Sequence, residues 1–305
     1  MNILFVTSNR LGDAVLSTGL LDHLLRAYPD ARFTVACGPV AEGVFARMPR
    51  RARTIVLTKQ SYGRHWLPLW AATVTRRWDL VVDIRGSALA WMVPARRRAV
   101  MRRRPGHKTA QLAAVLGLDP PPLPVVWTAP EDDARAAALL PAGRPVVALA
   151  PTANWGPKIW PADRFAALFE TLRAGPLPNA VAAILAGPGE SERRMAEPLR
   201  ALLPHAIDLT GRLSLPEAAA VLRRTALFVG NDSGLMHLAA AAGAPTLGLF
   251  GRTDAAEYGP AGPRAAAVVA EAPRMEALSV ERVAAAACKL IGQASAQPAA
   301  AVANF

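Results

Sequence analysis

The sequence predicts an α/β protein with two successive parallel sheets, and three observations support this prediction. Short apolar runs that suit buried strands alternate with apolar residues at helical spacing along most of the 305 residues. Proline-rich stretches at 118–124 and 139–145 interrupt this alternation, which then resumes. Strands that alternate with helices form parallel crossover units, so the pattern predicts two Rossmann-like domains. We expect these domains at residues 1–140 and 145–292, followed by a flexible, low-complexity tail at 293–305.

In the first half, four apolar runs are predicted strands. They cover residues 3–6, 32–36, 54–57 and 80–83. Leucines recur at helical spacing after the first run and predict about four turns of helix that begin near Asp13. In the second half, the predicted strands are 146–150, 180–186, 227–229 and 246–250, and the predicted helices are 165–173, 190–203, 215–223 and 235–242.

Composition limits the classes of protein and partner. The formal net charge is +12, which favours an anionic partner, although 31 of the 35 cations are arginine, a usage that a GC-rich genome also produces. No uninterrupted apolar run is long enough to span a membrane, and the first residues do not have the pattern of a secretory signal. The two cysteines are far apart, so we expect a reduced, cytoplasmic protein.

The polar turn at 8–14 follows the first predicted strand and is the first candidate site. It contains Asp13 at or near the start of a helix. A carboxylate at that position either caps the helix N-terminus or contacts a ligand at the carboxyl edge of the sheet. The position alone leaves both interpretations open.

Two turns of the second half contain residues suited to a nucleotide. Lys158 is one of four lysines in a chain that otherwise uses arginine, and lysine supplies a compact charge suited to phosphate. Glu190 follows a Gly-Pro-Gly turn, where a carboxylate either accepts ribose hydroxyls or interacts with the helix dipole. A solvated loop position is the alternative interpretation of Lys158.

The turn after the predicted strand 227–229 has the sequence Gly-Asn-Asp-Ser-Gly. The amides of a helix N-terminus that follows such small and polar residues form an anion site. Asp232, Ser233 and Gly234 lie in this turn, and His237 lies about one turn into the helix. We therefore predict that the turn binds a diphosphate, with a surface or core position as the alternative for His237.

Taken together, these motifs resemble glycosyltransferase family 9, the bacterial heptosyltransferases. The resemblance rests on RLGD at 10–13, PKIWPADRFAALFETL at 157–172 and the block at 230–254, and DLVVDIRG at 79–86 is also similar. It extends in order over residues 1–255. It implies a GT-B fold, in which two Rossmann-like domains face each other across a cleft. It also implies transfer of a heptose from an ADP-activated donor to the inner core of lipopolysaccharide, with inversion and without a metal or other cofactor.

The resemblance also implies roles for individual residues. Asp13 would be the general base toward the acceptor hydroxyl. Lys158 would contact the donor phosphates, and Glu190 would contact the ribose. Four residues of the second half would hold the diphosphate-sugar, namely Asp232, Ser233, Gly234 and His237.

The segment 96–108 departs from the family pattern because it is shorter and richer in arginine than a typical acceptor loop. Seven of its 13 residues are Arg or Lys. We expect it to contact an anionic glycolipid acceptor or the inner leaflet of the bacterial inner membrane, and a solvated face is the alternative. The candidate contact residues are Arg102, Arg103, Arg104 and Lys108.

Several other functions stay open at this point. A family member that uses another nucleotide-sugar or acceptor would have the same motifs, and a sugar-nucleotide epimerase can have the same two-domain fold. A protein that binds an anionic surface without turnover would also explain the charge. Nucleic acid is not an expected partner, because aromatic residues are not interleaved with the basic residues of 96–108 and no RNA-binding signature is present.

Overall fold

The computed structural model describes residues 1–296 of the chain and the side chains of residues 1–292. The chain folds as two compact units, the first formed by Met1–Asp132 with Ser214–Glu217 and the second by Asp133–Leu213 with the chain from Ala218 onward. Each unit contains one parallel sheet flanked by helices. The predicted fold class, an α/β protein with two Rossmann-like parallel-sheet domains, is confirmed.

The first unit is built on a five-stranded parallel sheet. Its strands are β1 (Asn2–Val6), β2 (Arg32–Cys37), β3 (Arg51–Val56), β4 (Trp78–Asp83) and β5 (Ala95–Val100). Their spatial order is β3-β2-β1-β4-β5. Strands β2 and β3 are added on one side of β1, and β4 and β5 on the other, so the strand order reverses between β1 and β4. The carboxyl ends of these two strands therefore border the crevice where sheets of this kind bind ligands.

The helices of the first unit are α1 (Leu11–Ala27), α2 (Trp66–Val74), α3 (Leu89–Met92) and α4 (Lys108–Ala113). Helix α1 begins two residues before Asp13, and its leucines are buried, as their spacing predicts. The proline-rich stretch 118–124 packs closely on this helix, since a Cβ at Gly19 would lie 2.6 Å from the carbonyl oxygen of Pro122. This stretch therefore belongs to the first unit.

Part of the arginine-rich segment 96–108 is a strand and not a loop. Its first five residues belong to β5, in which Arg97 pairs with Leu80 and Arg98 pairs with Val81. Because β5 is the edge strand of the sheet, its charged side chains can reach solvent, and charge on an edge also discourages pairing with other chains. Arg102, Arg103 and Arg104 follow in an exposed coil, and Lys108 begins α4.

The second unit is built on a six-stranded parallel sheet. The strands are β6 (Val146–Ala150), β7 (Val181–Ile184), β8 (Ile207–Asp208), β9 (Leu227–Asn231), β10 (Thr246–Phe250) and β11 (Ala265–Val269). Their spatial order is β11-β10-β9-β6-β7-β8, which places the change of direction between β6 and β9. The ligand crevice of this sheet is therefore expected at the carboxyl ends of β6 and β9.

Seven further α-helices follow along the described part of the chain, in addition to short 3-10 helices, of which Gly156–Lys158 contains Lys158. The seven α-helices are α5 (Pro130–Leu139), α6 (Ala162–Ala174), α7 (Glu190–Leu202), α8 (Leu215–Arg223), α9 (Gly234–Ala241), α10 (Ala255–Tyr258) and α11 (Val280–Ala296). Helix α11 extends four residues into the predicted tail 293–305, and residues 297–305 lie outside the described residues. Within residues 1–296, no helix is both long and apolar enough to cross a bilayer.

The two units divide inside α5, whereas the sequence pattern predicts a boundary between residues 140 and 145. The buried carboxylate of Asp132 explains this position. It accepts hydrogen bonds from Arg47 Nε at 3.0 Å and from the backbone N–H of Ala129 at 2.8 Å. The first turn of α5 is therefore attached to the first unit.

Candidate functional site

The crevice of the second unit contains a close ion pair. Lys158 follows β6 and Asp232 follows β9, and Lys158 Nζ lies 2.6 Å from Asp232 Oδ2. Their side chains are 18% and 8% exposed, so both charges are largely removed from water. The structure thus brings together two predicted site residues that are 74 positions apart in sequence.

Trp160 fixes the turn that carries Lys158. Its ring is fully buried, contacts Phe165 edge to face, and donates a hydrogen bond from Nε1 to the carbonyl of Leu278 at 2.8 Å. Its backbone N–H donates to Asn231 Oδ1 at 3.0 Å, which joins the turn after β6 to the end of β9. The apolar anchor and this hydrogen bond together hold Lys158 beside Asp232.

The N-terminus of α9 lies next to this ion pair in the chain. Ser233 is the N-cap residue, Gly234 is the first helical residue, and His237 is buried in the first turn. Among the described residues, neither Ser233 Oγ nor Asn231 Nδ2 has a hydrogen-bond partner, although both atoms are buried. Buried polar groups are nearly always paired, and a helix N-terminus attracts anions, so this end of the sheet suits an anionic ligand.

The structure separates the two glutamates at the start of α7. The Glu190 side chain is 75% exposed and pairs with Arg194 one helical turn later, at 2.9 Å. Glu192 instead turns back toward the sheet, where its Oε2 accepts from Thr152 Oγ1 at 2.5 Å and from the Gly187 N–H at 3.3 Å. Glu192, and not the predicted Glu190, is therefore the carboxylate that lies at the carboxyl ends of β6 and β7.

Asp13 lies in the first turn of α1, at the crevice of the first unit. The N-cap position belongs to Arg10, and no side chain caps this helix, so Asp13 does not have the N-cap role that its sequence position also allowed. Its half-buried carboxylate has one weak partner, Ser8, whose hydroxyl donates to Oδ2 at 3.3 Å. Among the described residues, the other carboxylate oxygen has no hydrogen-bond partner.

The turn after β4 borders the same crevice. Asp83 is fully buried and accepts hydrogen bonds from the N–H groups of Arg85 and Ser87 at 2.8 and 2.9 Å, and burial raises the pKa of its carboxyl group. The turn directs Arg85 toward Asn9, with 3.3 Å between Nη1 and Oδ1, and over the ring of Trp66 at 4.7 Å. Partial burial lowers the pKa of Arg85. The crevice thus holds a cation and a carboxylate on neighbouring turns.

Some of these residues have no strong sequence signal. Thr152 and Glu192 lie in ordinary strand-to-helix turns, and Asn231 is an uncharged neighbour of the more conspicuous Asp232. Helix phase provides a signal for Glu192, because the third residue of a helix can reach back over the N-terminus. Among the residues with described side chains, no group of three His, Cys, Asp or Glu residues could hold a metal ion.

The sequence has relatives of known function. The family model of glycosyltransferase family 9 (heptosyltransferase) matches residues 89–287. Lipooligosaccharide heptosyltransferase 2 of Haemophilus influenzae is 26% identical over 297 residues, which cover 83% of this chain and 84% of that protein.

Solved structures also have the same fold. The glycosyl transferase family 9 protein of Veillonella parvula has a TM-score of 0.79 at 20% identity, and the match covers 96% of this chain and 97% of that one. An E. coli heptosyltransferase solved with ADP has a TM-score of 0.76 at 18% identity, with 95% and 100% covered.

Proposed function

The chain belongs to glycosyltransferase family 9, the heptosyltransferase family, and from that premise we propose that it transfers a heptose from ADP-heptose to a lipopolysaccharide inner core. Two relatives support this proposal, because the E. coli heptosyltransferase of the same fold was solved with ADP and the Haemophilus influenzae relative is a lipooligosaccharide heptosyltransferase. We further propose that the acceptor is an anionic glycolipid and that the reaction takes place at the cytoplasmic face of the inner membrane. No metal or other cofactor is part of the proposal.

The observation that carries the donor assignment is the buried pair of Lys158 and Asp232 beside the N-terminus of α9. An ammonium group has three donors, so Lys158 can keep its bond to Asp232 and still donate to phosphate oxygens. The helix amides and the unpaired hydroxyl of Ser233 add donors directed at the same ligand. His237, on the same helix turn, completes the proposed diphosphate-sugar site.

We assign the nucleoside ribose to Glu192 and no longer to Glu190. The Glu192 carboxylate lies at the strand ends and is held there by Thr152 and by the Gly187 N–H. Carboxylates at such positions accept hydrogen bonds from ribose hydroxyls. Glu190 is directed into solvent and pairs with Arg194, which suits a helix-surface residue.

Asp13 is the proposed general base. Its carboxylate accepts the proton of the acceptor hydroxyl while the hydroxyl oxygen attacks the anomeric carbon. The bond from that carbon to the β-phosphate oxygen breaks, and ADP leaves with the bonding electron pair. Lys158 and the α9 amides stabilise the charge that develops on the departing diphosphate. Attack opposite the leaving group inverts the anomeric configuration.

Acceptor-dependent release of ADP tests this function. Purified protein is incubated with ADP-heptose and a lipopolysaccharide acceptor that lacks heptose, and parallel reactions contain UDP-sugars or no acceptor. We expect nucleotide release only with the ADP-sugar and the acceptor together. Preference for a UDP-sugar would indicate a family member with another donor, and epimerisation of the sugar without transfer would contradict the proposal.

A further inference from the structure

The positive charge of this protein is concentrated in one stretch of the first unit. Residues 59–110 contain 12 Lys or Arg against two Asp, so this stretch carries +10 of the net charge of +12. In the rest of the chain, 23 Lys or Arg are nearly balanced by 21 Asp or Glu. Arginine-rich codon usage would affect the whole chain alike and does not explain this concentration.

The same stretch exposes large apolar side chains. We call Leu67 and Trp70 on α2, with Trp91 and Met92 on α3, the α2–α3 face. Leu67 is 64% exposed, Trp91 is 68% exposed, Met92 is 56% exposed and Trp70 is 37% exposed. Several large exposed apolar side chains on two helices that contact each other are uncommon on a soluble monomer and indicate a surface that binds a partner.

Hydrogen bonds and ring contacts hold the α2–α3 face in one arrangement. Leu67 and Trp70 are three residues apart and so lie on one side of α2. Trp70 Nε1 donates to the carbonyl of Met92 at 3.1 Å, which joins the two helices. Arg98 lies 5.7 Å from the centre of the Trp91 ring and donates to the carbonyls of Ala90 and Val93. The exposed rings are therefore positioned before any partner arrives.

We propose that the α2–α3 face binds the interface of an anionic phospholipid bilayer. Tryptophan is enriched at membrane interfaces, where its ring contacts acyl chains and its N–H stays near the headgroups. Leucine and methionine would enter the same layer, while the neighbouring arginines pair with anionic headgroups. The face thus combines the two components, apolar insertion and positive charge, that a peripheral membrane protein needs.

Charge complementarity favours a lipid surface over a second copy of this chain. Self-association through the α2–α3 face would bring together two stretches that each carry +10, and like charges in contact oppose association. An anionic bilayer neutralises the same charges. Trp66 extends from α2 to Arg85 at the crevice of Asp13, so docking by this face places that crevice near the headgroups. The inference nevertheless stands without the proposed transferase function.

Sedimentation with lipid vesicles tests the proposal without any measurement of turnover. The full chain is mixed with vesicles of phosphatidylcholine alone or of phosphatidylcholine with phosphatidylglycerol. The variants are Leu67→Ser and Trp91→Ser, and Leu202→Ser is the matched control, because Leu202 is also an exposed leucine (50%) on a helix but lies in the second unit. Circular dichroism and thermal melting identify any variant that fails to fold. If one of the two variants of the α2–α3 face does not fold, vesicle binding by the other variant tests the proposal.

We expect the wild type to bind the vesicles that contain phosphatidylglycerol and to bind phosphatidylcholine much more weakly. The partition coefficient should fall about fivefold to tenfold in Leu67→Ser and about tenfold or more in Trp91→Ser, and Leu202→Ser should bind like the wild type. Absence of vesicle binding by the wild type would overturn the proposal. Binding of Leu67→Ser and Trp91→Ser with the same partition coefficient as the wild type would also overturn it. Concentration-dependent dimers that Leu67→Ser abolishes would also overturn it, because the face would then be a protein interface.

Discussion

The two sheets have ligand crevices at equivalent places, and the predicted site residues of the two crevices differ in how closely they are paired. In the second unit, Lys158 and Asp232 form a buried ion pair, and Asn231 bonds to the backbone of Trp160. In the first unit, Asp13 is half-buried and has one weak hydrogen bond from Ser8. The charged residues of the second crevice are therefore held by contacts within the protein, whereas the Asp13 carboxylate of the first crevice can still accept further hydrogen bonds.

This difference agrees with a division of tasks in the proposed reaction. A diphosphate has a large charge, so its site benefits from donors that are already fixed when the ligand arrives. A general base must instead accept a proton, and a carboxylate that already receives several strong hydrogen bonds is a weaker base. We therefore expect substitutions in the second crevice to affect nucleotide binding and stability, and substitutions in the first crevice to affect turnover.

The largest expected effect is on turnover in Asp13→Asn. The amide retains the shape of the side chain but cannot accept the proton of the acceptor, so kcat should fall about 10²- to 10⁴-fold, the usual contribution of a positioned general base. Asp22→Asn is the matched control, because Asp22 also lies on α1 and pairs with Arg26 at 2.7 Å on the surface. Initial rates with saturating donor and acceptor measure both variants, and equal rates for the two would remove Asp13 from the mechanism.

The second largest expected effect is on the free energy of unfolding, and one asparagine from each crevice is substituted to measure it. Asn231→Ala removes the acceptor of the buried Trp160 N–H, so the free energy of unfolding should fall by about 1–3 kcal/mol. Asn9→Ala removes only a 3.3 Å contact to the partly exposed Arg85 and should change stability by about 0.5 kcal/mol or less. Urea denaturation measures both values. If Asn9→Ala were the more destabilising change, the contrast between the crevices would be wrong.

The smallest expected effect distinguishes the two glutamates of α7. Glu192→Gln should weaken ADP binding about tenfold, because a charged acceptor of ribose hydroxyls becomes neutral. Glu190→Gln should leave the affinity unchanged, since the exposed pair with Arg194 contributes about 0–1 kcal/mol and does not face the sheet. Calorimetric titration with ADP compares the two. Loss of affinity in Glu190→Gln alone would restore the assignment made from the sequence.

The sequence predicted those parts of the fold that depend on local pattern. The apolar runs and leucine spacing identify the central strands and α1, because burial follows periodicity. The edge strand β5 was missed since its three consecutive arginines do not have the pattern of a buried strand. The two-residue strand β8 and the alanine-rich β11 have similarly weak signals. The domain boundary also differs, because the tertiary contact of Asp132 with Arg47 determines it.

The candidate site was predicted by residue type but not by geometry. Turn chemistry and family resemblance selected Asp13, Lys158 and Asp232, and the last two do form a pair. The paired residues are 74 positions apart, and the pair is held in place by Trp160 and Asn231. The local sequence around either residue therefore does not predict the pairing. The residue at which α7 begins determines which of its glutamates is directed toward the sheet. The helix begins at Glu190, so the third helical residue, Glu192, is the one directed toward the sheet.

The division of tasks between the units is tested most directly by calorimetric titration of ADP into Lys158→Ala and Asp13→Asn. Lys289→Ala is the control, because Lys289 is an exposed lysine on α11. The Lys158→Ala variant should bind ADP about 10- to 150-fold more weakly, the equivalent of a charge-assisted hydrogen bond worth about 1.5–3 kcal/mol. Asp13→Asn and Lys289→Ala should bind ADP as the wild type does. Unchanged affinity in Lys158→Ala, or a loss of affinity in Asp13→Asn of the same size, would contradict the account.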